Sequence, residues 1–177
     1  TVDDRPYGGG PGMVMKPEPI SLAIEAIERM AHIEGPPKTH CEVVLMTPVG
    51  EKLRQAVAEQ MVACLHLVIL CGHYEGVDER IVQAYITKEI SIGDYVLTGG
   101  ELPAMVLVDC LTRLIPGVIG NDKAVKEDSF SNGLLEYPQY TRPAFFKGMG
   151  VPDVLRQGDH GRIAAWRKLQ AFMRTTK

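Results

Sequence analysis

Three short apolar runs, each closed by a glycine- or proline-bearing loop and followed by a helix-patterned stretch, constrain this chain more than any other feature. The first is Glu42-Val43-Val44-Leu45-Met46, with the loop Thr47-Pro48-Val49-Gly50 and a helical pattern from Glu51 to Ala63 that turns Leu53, Val57 and Met61 inward. The second is His66 to Cys71, nearly all apolar as in a strand buried on both faces of a parallel sheet. It leads through Gly72-His73-Tyr74-Glu75-Gly76 to a helix from Val77 to Ile86. The third runs from Ile90 to Leu97, turns at Thr98-Gly99-Gly100-Glu101 and enters an apolar helix from Pro103 to Leu114, with Pro103 in the first turn where its missing N–H is no loss. Such alternation predicts an α/β fold with a mostly parallel sheet, whose ligand sites lie beyond the carboxyl ends of the strands. Taken alone, the pattern predicts an ordinary open doubly wound sheet.

An amphipathic helix precedes the first unit, with Ile20, Ile24, Ile27 and Ala31 on one face. After Ile115-Pro116-Gly117 the alternation stops at a polar stretch, Gly120 to Ser129, which reads as a boundary. The expected division is therefore an α/β domain over 1–119, a linker over 120–129 and a small helical unit over 130–177. Its last helix, Arg162 to Met173, is expected to bury Ile163, Trp166, Leu169 and Phe172 or Met173.

Charge separates the two parts. Residues 1–138 hold 11 Lys and Arg against 20 Asp and Glu, whereas residues 139–177 hold 8 against 2. A basic tail on an acidic body predicts an anionic partner. No apolar run approaches the roughly 18 residues that span a bilayer, so no membrane partner is expected. The start, Thr1-Val2-Asp3-Asp4-Arg5, has neither an initiator Met nor the features of a signal peptide and reads as part of a longer chain. Cys41, Cys64, Cys71 and Cys110 lie in or beside apolar stretches without metal-ligand spacing, a pattern that favours a reducing cytoplasm and no metal site.

Familiar chemistries lose support. There is no G-x-x-x-x-G-K-[ST] loop, no strand-borne G-x-G-x-x-G and no G-x-S-x-G elbow. Tyr7-Gly8-Gly9-Gly10-Pro11-Gly12 does not follow a strand and, taken alone, reads as a mobile loop. What remains is a set of glycine loops rich in main-chain donors and acceptors, suited to a flat heteroaromatic ligand.

The words Gly72-His73-Tyr74-Glu75-Gly76-Val77-Asp78-Glu79-Arg80 and Ser91-Ile92-Gly93-Asp94-Tyr95-Val96-Leu97-Thr98-Gly99-Gly100-Glu101-Leu102-Pro103-Ala104 closely resemble the bacterial tRNA (guanine-N1)-methyltransferase family. Val2 to Met13, Glu127-Asp128-Ser129-Phe130 and Tyr140-Thr141-Arg142-Pro143 extend the resemblance in the family's order over nearly the whole chain. The resemblance implies a SPOUT-type α/β fold with a trefoil knot and a helical C-terminal domain, working as a homodimer whose active site is shared between protomers. It implies S-adenosylmethionine as methyl donor, held by Pro48, by Gly72, Tyr74 and Glu75, and by Ile92, Gly93, Asp94, Tyr95, Val96, Leu97, Gly99, Gly100 and Pro103. The substrate it implies is tRNA with guanine at positions 36 and 37, methylated at N1 of guanine 37. Asp128 is then the general base and Arg113 the group that stabilises charge on guanine O6, and a Mg2+ requirement stays open. Ser129, Arg142, His160, Arg162, Arg167 and Lys168 become candidate tRNA contacts.

The resemblance further implies a strand and helix before Val2, a helical tail after Lys177, and Arg in many relatives where this chain has His73. Two other readings stay open: a different SPOUT RNA methyltransferase, and a non-catalytic RNA-binding fragment.

Overall fold

In the computed structural model, residues 1–30, 41–120 and 128–177 are described. They form two compact units, Thr1–Val118 and Ile119–Lys177. The first is built on a parallel sheet of three strands: β3 (Cys41–Lys52) lies between β4 (His66–Cys71) and β5 (Lys88–Ser91). Before it come the short antiparallel pair β1 (Asp3–Asp4) and β2 (Val14–Met15) and the helix α1 (Pro17–Met30). Helices α2 (Gln55–Met61), α3 (Glu79–Tyr85) and α4 (Glu101–Thr112) follow the three sheet strands in turn.

Because side chains alternate across a strand, β3 feeds two cores. Val44 and Met46 pack with Val57, Ala58 and Met61 of α2, Ile90 of β5, and Leu107 and Leu111 of α4. Val43 packs with Ile20 and Ile24 of α1 and Ile81 of α3. The two helices of this second layer are also tied by Tyr85, whose hydroxyl donates to Glu25 Oε1 at 2.8 Å. That bond, with the nearby carboxylate charge, pushes the Tyr85 pKa up.

Several boundaries differ from the sequence pattern. Thr47–Gly50, expected as a loop, belongs to β3, which slips register: Met46 and Glu51 both pair with Ile90. The excursion is a bulge that brings Gly50 onto the neighbouring strand, where a Cβ would lie 2.5 Å from the Glu89 carbonyl carbon; only glycine permits that approach. Glu51 and Lys52 are consequently strand residues, and α2 is shorter than the predicted Glu51–Ala63 helix. The third strand stops at Ser91, so Ile92–Leu97 is loop. Ile27 is exposed, and the predicted helical continuation at Ala31 lies outside the described residues.

In the second unit, the hairpin strands β6 (Phe145–Phe146) and β7 (Met149–Gly150) precede a 3-10 turn at Asp153–Leu155 and the helix α5 (His160–Thr175). Asp159 caps α5 by accepting the Arg162 N–H at 3.0 Å. The expected inward face holds only in part. Ile163 and Trp166 are half-buried and Ala171 is buried, but Leu169, Phe172 and Met173 are exposed. Most of the polar stretch between the units, 121–127, lies outside the described residues. No helix among the described residues is long and apolar enough to cross a membrane.

Candidate active site

The carboxyl ends of β4 and β5 and the bulge of β3 open on one cavity of ≈ 280 Å³ in the first unit. Three segments form it. Pro48 comes from the bulge, Gly72, Tyr74 and Glu75 from the loop after β4, and Ile92, Gly93, Tyr95, Val96, Leu97, Gly99, Gly100 and Pro103 from the segment between β5 and α4. Asp94 is not in this wall. Its carboxylate pairs instead with Lys52 Nζ at 2.5 Å, with both side chains largely exposed. A surface pair of this kind stabilises by only about 0–1 kcal/mol.

Local rules explain the convergence. The Gly100 N–H donates to the Gly72 carbonyl at 2.9 Å, and His73 forms a bridge with Gly99, so the third loop is stitched back onto the second. A Cβ on Gly100 would lie 2.6 Å from Cys71 Cα, which makes glycine obligatory where α4 begins. Within the third loop the Ser91 hydroxyl accepts the Gly93 N–H at 3.2 Å, closing a tight turn at a buried position. The Asp78 carboxylate accepts the Arg80 N–H at 2.9 Å and holds the Arg80 guanidinium through both oxygens, starting α3 directly after the second loop. Those bonds hold the Asp78 pKa down at about 2.

The N-terminal glycine-rich segment is anchored at its far end. Glu75 N–H donates to Met13 O at 3.0 Å, Met15 N–H to Gly76 O at 2.9 Å and Asp78 N–H to Met15 O at 3.1 Å. Met13–Met15 therefore runs along the second loop, and Gly12 lies against the Glu75 side chain. Sequence reasoning missed this link. It also missed Leu45, Met46, Thr47 and Thr98 as wall residues. Leu45 and Met46 carry no polar group to attract attention, and nothing but the sheet order brings them to the cavity floor.

Cys71 closes β4 beside the cavity, and burial, reinforced by the Glu101 charge, pushes its thiol pKa up. A protonated thiol is a poor nucleophile, so covalent chemistry at Cys71 has no support. Arg113, the C-cap of α4, is exposed at the helix end where a cation is favoured.

Asp128 belongs to the second unit. It lines a cavity of ≈ 480 Å³ there together with His160, Arg167 and Lys168, three of the candidate tRNA contacts. The Ser129 hydroxyl accepts the Glu136 N–H at 2.9 Å, tying the residue after Asp128 to the wall of the same cavity. Arg167 stacks its guanidinium over Tyr137 at 4.6 Å. Arg162 donates to Gln157 Oε1 at 3.4 Å, and Arg142 is exposed.

Comparison with known proteins agrees in direction. The family described as tRNA (Guanine-1)-methyltransferase TrmD matches residues 1–177. The chain is similar to proteins named tRNA (guanine-N(1)-)-methyltransferase from Moorella thermoacetica (56% identity over 174 residues, 98% of this chain and 68% of the relative) and Geobacillus kaustophilus (56% over 175 residues, 99% and 69%). One from Staphylococcus carnosus is 53% identical over 174 residues, 98% of this chain and 68% of the relative.

Proposed function

Because the chain belongs to the tRNA (guanine-1)-methyltransferase family, we propose that it transfers a methyl group from S-adenosylmethionine to N1 of guanine 37 in tRNA. The observation that carries this reading is the meeting of the three family-like loops around one cavity. Its walls fit such a donor. Ile92, Leu97 and Pro103 offer apolar surface for an adenine ring, the glycines expose main-chain donors and acceptors, and Glu75 adds a carboxylate for a positively charged sulfonium. The knotted arrangement of the SPOUT fold is proposed from the family, in keeping with the second and third loops lying side by side through Gly72–Gly100 and His73–Gly99.

S-adenosylmethionine, when bound, supplies a methyl group on a positively charged sulfur. The chain's own task is to make guanine N1 nucleophilic, since that nitrogen carries a proton. Asp128 is the proposed base that takes the proton. As it leaves, negative charge builds on O6, and the planar fork of Arg113 is the proposed partner for that charge. His160, Arg167 and Lys168 share a cavity with Asp128, which supports a role for them in positioning the tRNA backbone, as do the charges of Arg142 and Arg162 in the same unit.

The apolar side chains Leu102, Met105 and Val106 of α4 are 61%, 67% and 48% exposed. They make a stripe on one helix face, which supports a homodimer formed by a second copy of this chain. The cysteine pattern supports a cytoplasmic location.

The test is methyl transfer from labelled S-adenosylmethionine to unmodified tRNA with guanine at 36 and 37, beside tRNA with adenine at 37. Label in the guanine version only, recovered as 1-methylguanosine, is the expected result. Label in both, or on another atom, contradicts the proposed target; tRNA binding without transfer to either contradicts the enzymatic reading.

A further inference from the structure

The hairpin of the second unit has no part in the chemistry above, yet it carries two consecutive exposed aromatic side chains. Phe145, Phe146 and Met149 are 65%, 58% and 65% exposed. Consecutive strand residues point to opposite faces, so the two rings serve two sides. Phe145 pairs with Gly150, where a Cβ would lie 3.1 Å from the ring, and the Arg156 guanidinium stands 5.6 Å from its centroid. Phe146 pairs with Met149, and Lys147 Nζ stands 5.4 Å from its centroid.

The support is stiff. Lys147 and Gly148 both have left-handed backbone, with φ of 48° and 80°, as in the two-residue turns that match strand twist. The Val151 N–H closes the base by donating to Ala144 O at 3.0 Å. A rigid turn presenting rings with cations beside them loses little conformational freedom on binding.

Flat faces next to positive charge suit stacked bases and their phosphates. The surrounding sequence, residues 139–177, carries 8 Lys and Arg against 2 acidic residues, which complements a polyanion. We propose that the hairpin is a stacking platform for unpaired nucleotides of the tRNA substrate. Phe146 and Met149 take a base face, while Lys147 meets a flanking phosphate. The proposal rests on the tRNA reading above and adds a contact outside the reacting centre. Such stacking tolerates any base, so the hairpin contributes affinity and register, not target choice.

The test compares Phe146→Ala, Phe146→Tyr and Lys147→Gln in the full chain, reading tRNA affinity across a salt series, S-adenosylmethionine affinity, and kcat against KM. Phe146→Ala is expected to weaken tRNA binding about tenfold and raise KM, with kcat, donor affinity and salt slope unchanged. Phe146→Tyr is expected to restore binding, and Lys147→Gln to reduce the salt slope by about one. Wild-type tRNA affinity in Phe146→Ala, beside a wild-type chain that methylates tRNA, overturns the platform alone. So does a change confined to sedimentation behaviour, which marks a surface for another protein copy. A wild-type chain that neither binds nor methylates tRNA overturns the substrate reading and the platform with it.

Discussion

The amide of Gly100 donates to the carbonyl of Gly72 across 2.9 Å, and this bond, beside the His73–Gly99 bridge, ties the start of α4 to the residue that follows β4. Both residues line the cavity. A side chain at position 100 meets the Cys71 backbone and has no flexible neighbour to displace.

Gly100→Ala is therefore expected to destabilise the first unit by about 1–3 kcal/mol through overpacking and to weaken S-adenosylmethionine binding at least tenfold. Thermal melting and calorimetric titration check the two effects. Unchanged donor affinity in a folded variant contradicts the role given to this contact.

Asp78→Ala is expected to cost about 1 kcal/mol by removing the N-cap of α3. The pH dependence has a definite sign. The folded-state pKa is lowered to about 2 from 3.8, so the contribution is complete above about pH 4 and is lost as pH falls through 2. Wild type and variant should differ in chemical denaturation at pH 6 and converge near pH 2. A constant difference over that range contradicts the assignment.

Arg113→Lys is expected to slow the chemical step by about tenfold or more while leaving tRNA affinity within a fewfold, because a point charge does not reproduce a planar fork. Single-turnover rates beside equilibrium binding separate the two, and a defect in affinity alone contradicts the proposed role.

The second unit should give tRNA binding a steep salt dependence. Four cationic candidates, Arg142, Arg162, Arg167 and Lys168, if each meets a phosphate, predict a log–log slope of several units. Filter binding over a salt series measures it, and a flat response removes the phosphate contacts from the account.

Legibility in the sequence followed the physics of each segment. His66–Cys71 could be read to the residue, because a continuous apolar run between turn signals has few other solutions. Thr47–Gly50 could not. Pro48 and Gly50 carry loop signals, but a bulge uses those same residues inside a strand. Ile92–Leu97 looks like a strand continuation because it is apolar. Its apolar atoms face the cavity or solvent instead, as at Val96, which is 84% exposed. The α5 residues Leu169, Phe172 and Met173 match a helical core stripe in spacing, yet they remain exposed, since periodicity marks a face without saying whether the chain itself covers it. The convergence of three loops depends on sheet order, β4-β3-β5, which no local pattern encodes. Turn signals located the three loops, and only the resemblance to a family joined them into one pocket.

The most direct measurement is single-turnover methylation by Asp128→Asn beside wild type, with S-adenosylmethionine affinity recorded for both. Removing the proposed base is expected to slow methyl transfer by about 10²- to 10⁴-fold while donor affinity stays within a fewfold. A near-wild-type single-turnover rate in that variant would contradict the account, because N1 would then lose its proton without Asp128.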